Sequence, residues 1–202
     1  MNTVLEAMKN RKSVRAYKQD VIPRQTIKTI IEAGNQAPCT PDMEDGALIQ
    51  PWRFVVVEDP KFRQKLVQTA LPLWKQFIEN IKELNPENYR NIMSIYETLD
   101  EPKDMVYYSA PVIIFVLGST EQAVSCALAC ENMMLAAHSL KLGSCYVGFG
   151  SSLIKNDAQI IKALDVKDGE RIYGPILIGY PRDVPATDKL RWKKKAPRIK
   201  WI

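Results

Sequence analysis

Apolar residues recur along this chain with two periods, and the changes from one period to the other mark out the elements. Val4, Leu5 and Met8 fall at helical spacing behind Thr3 and Glu6, which read as a capping box. A second helix is expected to begin near Pro23, to bury Ile27, Ile30 and Ile31, and to stop at Gly34. The stretch NQAPCTPDMEDGALIQP carries three prolines and three acids and predicts an irregular, exposed loop. WRFVVVED then reads as a strand ended by Pro60. From 61 to 100 the period is helical again, with Leu66, Leu71, Leu73, Phe77, Ile78 and Ile81, and Pro72 and Pro86 are expected to divide this excursion into two or three helices. PVIIFVL is a nearly continuous β-branched run, the pattern of a strand buried on both faces. Residues 120–142 form the best helical stretch, apolar nearly all round and therefore central, with Gly143 as its stop. SCYVGFG predicts a short strand into a turn, NDAQIIKALDV a helix, and DGERIYGPILIGYP a turn and a last strand.

This order of elements is α+β or α/β. No GxGxxG or GxxxxGK[ST] loop is present, which disfavours a classical dinucleotide fold and a P-loop kinase. With 202 residues, 46% hydrophobic and 25% charged, the chain reads as one soluble globular domain. Its longest apolar run, APVIIFVLG, is strand-sized rather than membrane-spanning, and MNTVLEAMKN lacks a signal-peptide core, so a cytoplasmic location is expected. The net charge of +5 gathers at the two ends, in RKSVR and KLRWKKKAPRIK. Such ends suit nucleic acid, a membrane surface or a phosphate-bearing cofactor, though on charge alone a solvated tail is the commoner case. The cysteines, Cys39, Cys126, Cys130 and Cys145, form no CxxC pair, and His138 is the lone histidine. A zinc site is therefore disfavoured and reduced, mostly buried thiols are expected.

One cluster has the chemistry of a grip. Arg11, Lys12, Ser13 and Arg15 put three cations and a hydroxyl within five residues. Guanidinium groups make paired hydrogen bonds to phosphate oxygens, and a hydroxyl or a backbone amide serves a further acceptor.

RKSVRAY, QAPC, QPWRFVVVED, LAAHSLKLGSCYVG, ILIGYPRD and the basic tail, in that order, resemble the nitroreductase family of FMN-dependent NAD(P)H oxidoreductases. The resemblance spans nearly the whole chain and is weakest over 61–100. It implies an α+β fold, a mixed and mostly antiparallel sheet wrapped by helices, with the long helix at the centre of a homodimer that holds FMN at the subunit interface. Residues 1–202 would form one domain, with 61–100 as a helical insertion. Arg11, Ser13 and Arg15, with Lys12 through its backbone, would hold the FMN phosphate and ribityl chain. Arg191, Lys193 and Lys195 would supply the second half of that grip. Pro38, Cys39, Gln50 and Trp52 match the segment that reaches the partner's flavin, with core packing an equal alternative for Trp52. Here the resemblance departs: Cys39 stands where the family usually has serine, Leu48 where it has asparagine, and the loop between is longer than usual. Cys145, Tyr146 and Gly148 match the block whose backbone runs beside the isoalloxazine ring; Cys145 reads best as a buried small residue and His138 as a core or interface histidine.

The implied chemistry needs no catalytic side chain. NADH or NADPH would give hydride to flavin N5, and a small, aromatic nitro- or quinone-like acceptor would take it in a ping-pong cycle. Trp74, Phe77 and Tyr89 in the insertion would roof the pocket. The alternatives are a flavin-handling or sensing protein with little turnover, and a specialised dehydrogenase or dehalogenase of the same superfamily. A nucleic-acid module finds no motif, and neither nucleic acid nor a membrane is expected as a partner.

Overall fold

The computed structural model describes residues 2–39, 42–44, 47–97, 99, 103–183 and 195–202. Helix α1 (Thr3–Asn10) starts one residue earlier than a Thr3 capping box would place it, because the cap is Asn2, whose side chain accepts from the Val4 amide at 2.9 Å. Helix α2 (Arg24–Asn35) buries Ile27 and Ile30 as expected. Gly34 does not stop it. A Cβ there would sit 2.7 Å from Met133 Cγ, so the glycine serves the close approach of α2 to the long helix. Gly34→Ala is expected to cost about 1–3 kcal/mol by overpacking, read from urea unfolding; no loss would mean that Met133 moves freely.

The loop after α2 is not wholly irregular. Strands β1 (Asp42–Glu44) and β2 (Ala47–Ile49) pair antiparallel across the Asp45-Gly46 dipeptide, a pair common between hairpin strands. Next come β3 (Trp52–Val57), α3 (Pro60–Leu84) and α4 (Pro86–Glu97). Pro86 opens a helix, but Pro72 does not divide one: α3 runs through it for 25 residues. Pro72 and Gln68 are both exposed, so the carbonyl that loses its partner meets water.

Strand β4 (Val112–Ser119) is followed by a 3₁₀ turn (Thr120–Gln122) and α5 (Ala123–Ser139). That helix ends before Gly143: Lys141 takes a left-handed φ of 64°, and Leu142 donates to the Ala137 carbonyl at 2.9 Å. Strand β5 (Gly143–Tyr146) leads into α6 (Gly148–Ile154), a short helix where the pattern suggested a turn, then α7 (Ala158–Ala163) and β6 (Glu170–Gly179).

Strands β3, β4, β6 and β5 form one sheet in that order, every neighbouring pair antiparallel. A parallel element enters through an isolated bridge between Ser13 and Ser144. The fold is α+β. Helices cover both faces, and this explains the unbroken apolar run of β4. Ile113 and Phe115 point into a core with Leu66, Trp74 and Ile78 of α3 and Ile95 of α4. Val112, Ile114 and Val116 point into another with Ile30 of α2 and Cys126, Cys130 and Met133 of α5.

The Cys126 and Cys130 thiols are pushed up by burial, to about 11 and about 12, and are therefore protonated packing groups at neutral pH. At the sheet end Arg53 makes a bidentate pair with Glu170, Nε to Oε1 at 2.8 Å and Nη2 to Oε2 at 2.6 Å. Arg53 thereby holds the Glu170 carboxyl below its ordinary range. A depressed carboxyl stabilises the fold above the ordinary glutamate range, and that contribution is lost as pH falls through the folded value. Glu170→Gln is expected to lower stability by about 1–3 kcal/mol at neutral pH. The gap from wild type should close in acid, as melting curves at both pH values will read; a gap independent of pH would contradict the assignment.

Candidate active site

The residues from Arg11 to Arg15 leave α1 as an extended strip laid along β5. Arg11 closes the helix, its amide donating to the Ala7 carbonyl at 2.8 Å. The Val14 amide then donates to the Ser144 carbonyl at 2.9 Å, and Ser13 and Ser144 form the parallel bridge. The strip lies this close because residue 143 is glycine: a Cβ there would come 2.8 Å from three carbons of Val14. Farther on, Lys18 donates to the Tyr180 carbonyl and Arg182 to that of Ala16, which fixes the strip at its far end.

An extended chain sends alternate side chains to opposite sides. Val14 is buried against Gly143, while Ser13 is exposed and Arg15 half-buried. Arg11, Ser13 and Arg15 thus share one side, and all three lie beside Cys145. Lys12 falls on the other side and lines a separate open groove with Glu6, His138 and Lys141. Arg11 is paired with Glu131 of α5 at 3.5 Å. Cys145 is buried, and burial pushes its thiol up; the nearby Arg15, the hydrogen bond from Ser13 and Arg11 pull the other way. It is a small packing residue under the strip rather than a thiolate.

After Cys145 the chain turns outward. Tyr146 and Phe149 are large and exposed, and Phe149 meets Phe77 of α3 with ring centroids 4.7 Å apart. Of the three aromatics expected over this region only Phe77 presents its ring here. Trp74 is buried and stacked on Tyr96, and Tyr89 turns its hydroxyl to Glu79. Gly148 begins α6, and Val147 donates to the Pro175 carbonyl at 2.9 Å, so the β5–α6 turn is tied to β6.

The strip and the Cys145–Gly148 turn are therefore brought together, whereas the QAPC and QPW positions stand elsewhere. Pro38 and Gln50 are exposed, and Cys39 packs at the edge of the α2–α5 core. Trp52 is buried, its indole donating to Asn35 Oδ1 at 3.0 Å, which is the packing role. Arg191 and Lys193 lie outside the described residues; Lys195 is exposed in the terminal segment. Phe149 escaped the sequence reading, although it follows Gly148 directly and was within reach.

The profile of the nitroreductase family matches residues 8–180. The chain belongs to the nitroreductase family. A relative from Methanothermobacter thermautotrophicus, named a putative NADH dehydrogenase/NAD(P)H nitroreductase, is 27% identical over 198 residues, 98% of this chain and 87% of its own length. The crystal structure of a Bacteroides fragilis nitroreductase with bound FMN superposes over 100% of both chains with a TM-score of 0.66 and 25% identity. An iodotyrosine deiodinase from Thermotoga neapolitana is 30% identical over 82 residues, 41% of each chain. This nitroreductase-family chain is thus an α+β enzyme of the oxidoreductase class. Among its described residues no helix is long and apolar enough to cross a membrane, and no cluster of metal ligands occurs.

Proposed function

We propose that the protein is a cytoplasmic, single-domain, FMN-dependent oxidoreductase that passes hydride from NADH or NADPH to a small aromatic acceptor of nitro or quinone type, and that it works as a homodimer. One observation carries the reading: Arg11, Ser13 and Arg15 emerge on one side of a strip fixed to β5, next to the Cys145–Gly148 turn. Two guanidinium groups and a hydroxyl at alternate positions fit a phosphate dianion and the chain of hydroxyls behind it. The backbone of Tyr146 and Gly148 would run beside a ring continuing from that chain, and Lys12 would contribute through its backbone. The FMN named with the Bacteroides fragilis structure and the NAD(P)H in the relative's name support the same reading.

Bound FMN supplies two-electron transfer between two ligands that take turns on one ring face, which gives ping-pong kinetics. What this chain contributes is binding and orientation. Arg11 and Arg15 would hold the anion, the backbone of the β5–α6 turn would support the ring, and Phe77 with Phe149 would offer an apolar, aromatic wall to an acceptor. The homodimer reading rests on an apolar surface that one chain leaves open: Val4, Leu5 and Met8 of α1 and Val124 and Leu128 of α5, with Val124 73% exposed. Pro38, Cys39, Gln50, Arg191, Lys193 and Lys195 would act in that dimer, the first three toward the partner's flavin and the basic tail at the phosphate. The partial likeness to the deiodinase supports a second reading, reductive removal of halogen from a phenol.

The test is the visible spectrum of the purified protein, recorded without oxygen before and after NADH or NADPH. A yellow dimer that bleaches, and recovers colour with a nitroaromatic or a quinone, is expected. Recovery only with a halogenated phenol would favour the second reading. A colourless protein that takes up no added FMN would overturn both.

A further inference from the structure

We propose that the open groove between α1, the strip and the end of α5 is a separate binding site for a small oxyanion, a carboxylate or a phosphate group. The groove holds about 550 Å³, within the range of small-molecule sites, and Glu6, Lys12, His138, Lys141 and Ser144 line it. It is distinct from the candidate cofactor grip: Arg11, Ser13 and Arg15 leave one side of the strip, whereas Lys12 and Val14 line the groove on the other. It is distinct from the apolar dimer face as well. On α1, Thr3, Glu6, Ala7 and Asn10 fall together at helical spacing, and Val4, Leu5 and Met8 fall on the opposite side. The dimer proposed above would therefore leave the groove open.

The charge of the groove is unbalanced. Among the described residues that line it, two ammonium groups stand against one carboxylate, an excess of one positive charge with His138 neutral. Neither Lys12 nor Lys141 has an ion pair among the described residues. Lys141 moreover stands where the backbone favours glycine, ending α5 with a left-handed φ of 64°. The turn does not need its side chain. Backbone amides of Leu140, Leu142 and Lys141 itself donate to the Ala136, Ala137 and His138 carbonyls at 3.1, 2.9 and 3.1 Å, so these carbonyls at the end of α5 already have partners. A side chain kept at such a position in spite of the backbone points to a use for it. Ser144 lines the same groove, is 2% exposed, and its Oγ has no hydrogen-bond partner among the described residues. A serine hydroxyl turns about one bond between staggered positions, so a ligand on the groove floor can supply the missing partner. Two ammonium groups and a hydroxyl donor together suit a group that only accepts, which is a carboxylate or a phosphate.

His138 is the only histidine of the chain, so the magnetic resonance of its ring protons reads the groove directly. The probes are inorganic phosphate and succinate, titrated into untagged protein at constant pH, with sodium chloride at matched ionic strength as the control. A saturable shift is expected with at least one probe, half complete at about 1 mM, and none with chloride. Saturation by phosphate alone would assign a phosphate ester, and by succinate alone a carboxylate. Lys141→Gly should weaken binding by about 3–10-fold, the effect of losing one partly exposed charge-assisted hydrogen bond, and should melt no lower than wild type because it relieves the left-handed turn. One equivalent of FMN per chain should leave the response in place. The absence of a saturable shift, or an affinity unchanged in Lys141→Gly, would overturn the proposal. So would a response that FMN abolishes, which would seat the anion at Arg11 and Arg15 instead.

Discussion

Replacing Arg11 and Arg15 together by alanine is expected to weaken FMN binding by about 10²–10⁴-fold. Each guanidinium contributes charge-assisted hydrogen bonds worth about 1.5–3 kcal/mol, and the pair about 3–6 kcal/mol. The fold should survive the change. Arg11 and Arg15 are half-buried, and the backbone bonds of the strip to Ser144, Tyr180 and Ala16 do not involve their side chains. Removing Arg11 leaves Glu131 unpaired, but that carboxylate is 47% exposed and water can serve it. Fluorescence titration gives the affinity, and circular dichroism of the apo-form the control. Riboflavin, which lacks the phosphate, should lose less than FMN. A loss under about tenfold for FMN would move the grip away from these two residues.

Phe115→Ala is expected to remove about 3–5 kcal/mol of stability. Its ring is fully buried at the centre of β4, in the core shared with α3 and α4. It also sits where the register of β4 against β6 shifts, between the Ile114–Ile176 and Val116–Tyr173 pairs. A sheet covered on both faces has little room to collapse into the space left behind, so the transfer and cavity costs should both appear in full. Against a typical total of about 5–15 kcal/mol this is a large share. The urea midpoint should fall with the slope unchanged. A cost under about 1 kcal/mol would mean that helices α3 and α4 close the gap.

How much of this was legible depended on whether a residue's role is local. The β4 run could be read because burial on both faces abolishes polar alternation, and the two cores confirm that cause residue by residue. The apolar α5 was legible as a helix, but in this chain it is buried on one side only, with Val124 and Leu128 exposed on the other. Gly34 misled because glycine has two uses, and only the distance to Met133 distinguishes a close packing from a stop. Pro72 misled because its cost depends on exposure. The β1–β2 pair was hidden among prolines and acids, although Asp45-Gly46 was a usable turn signal. In the site, the density of cations and the hydroxyl from Arg11 to Arg15 suggested an anion grip, but that Arg11, Ser13 and Arg15 share a side follows only from the bridge to Ser144. Lys12 shared the cluster's composition but not its side.

The bridge between Ser13 and Ser144 also bears on how the molecule comes into being. The strip precedes β5 in the chain and can take its place only after β5 exists. During synthesis the cations of the strip must therefore wait, unpaired with their strand, until the stretch through β5 has left the ribosome. The seating of the strip is then a late product of folding, and an anion held by Arg11 and Arg15 would act on the finished molecule as a lock on its last-formed contact rather than as a seed for its first.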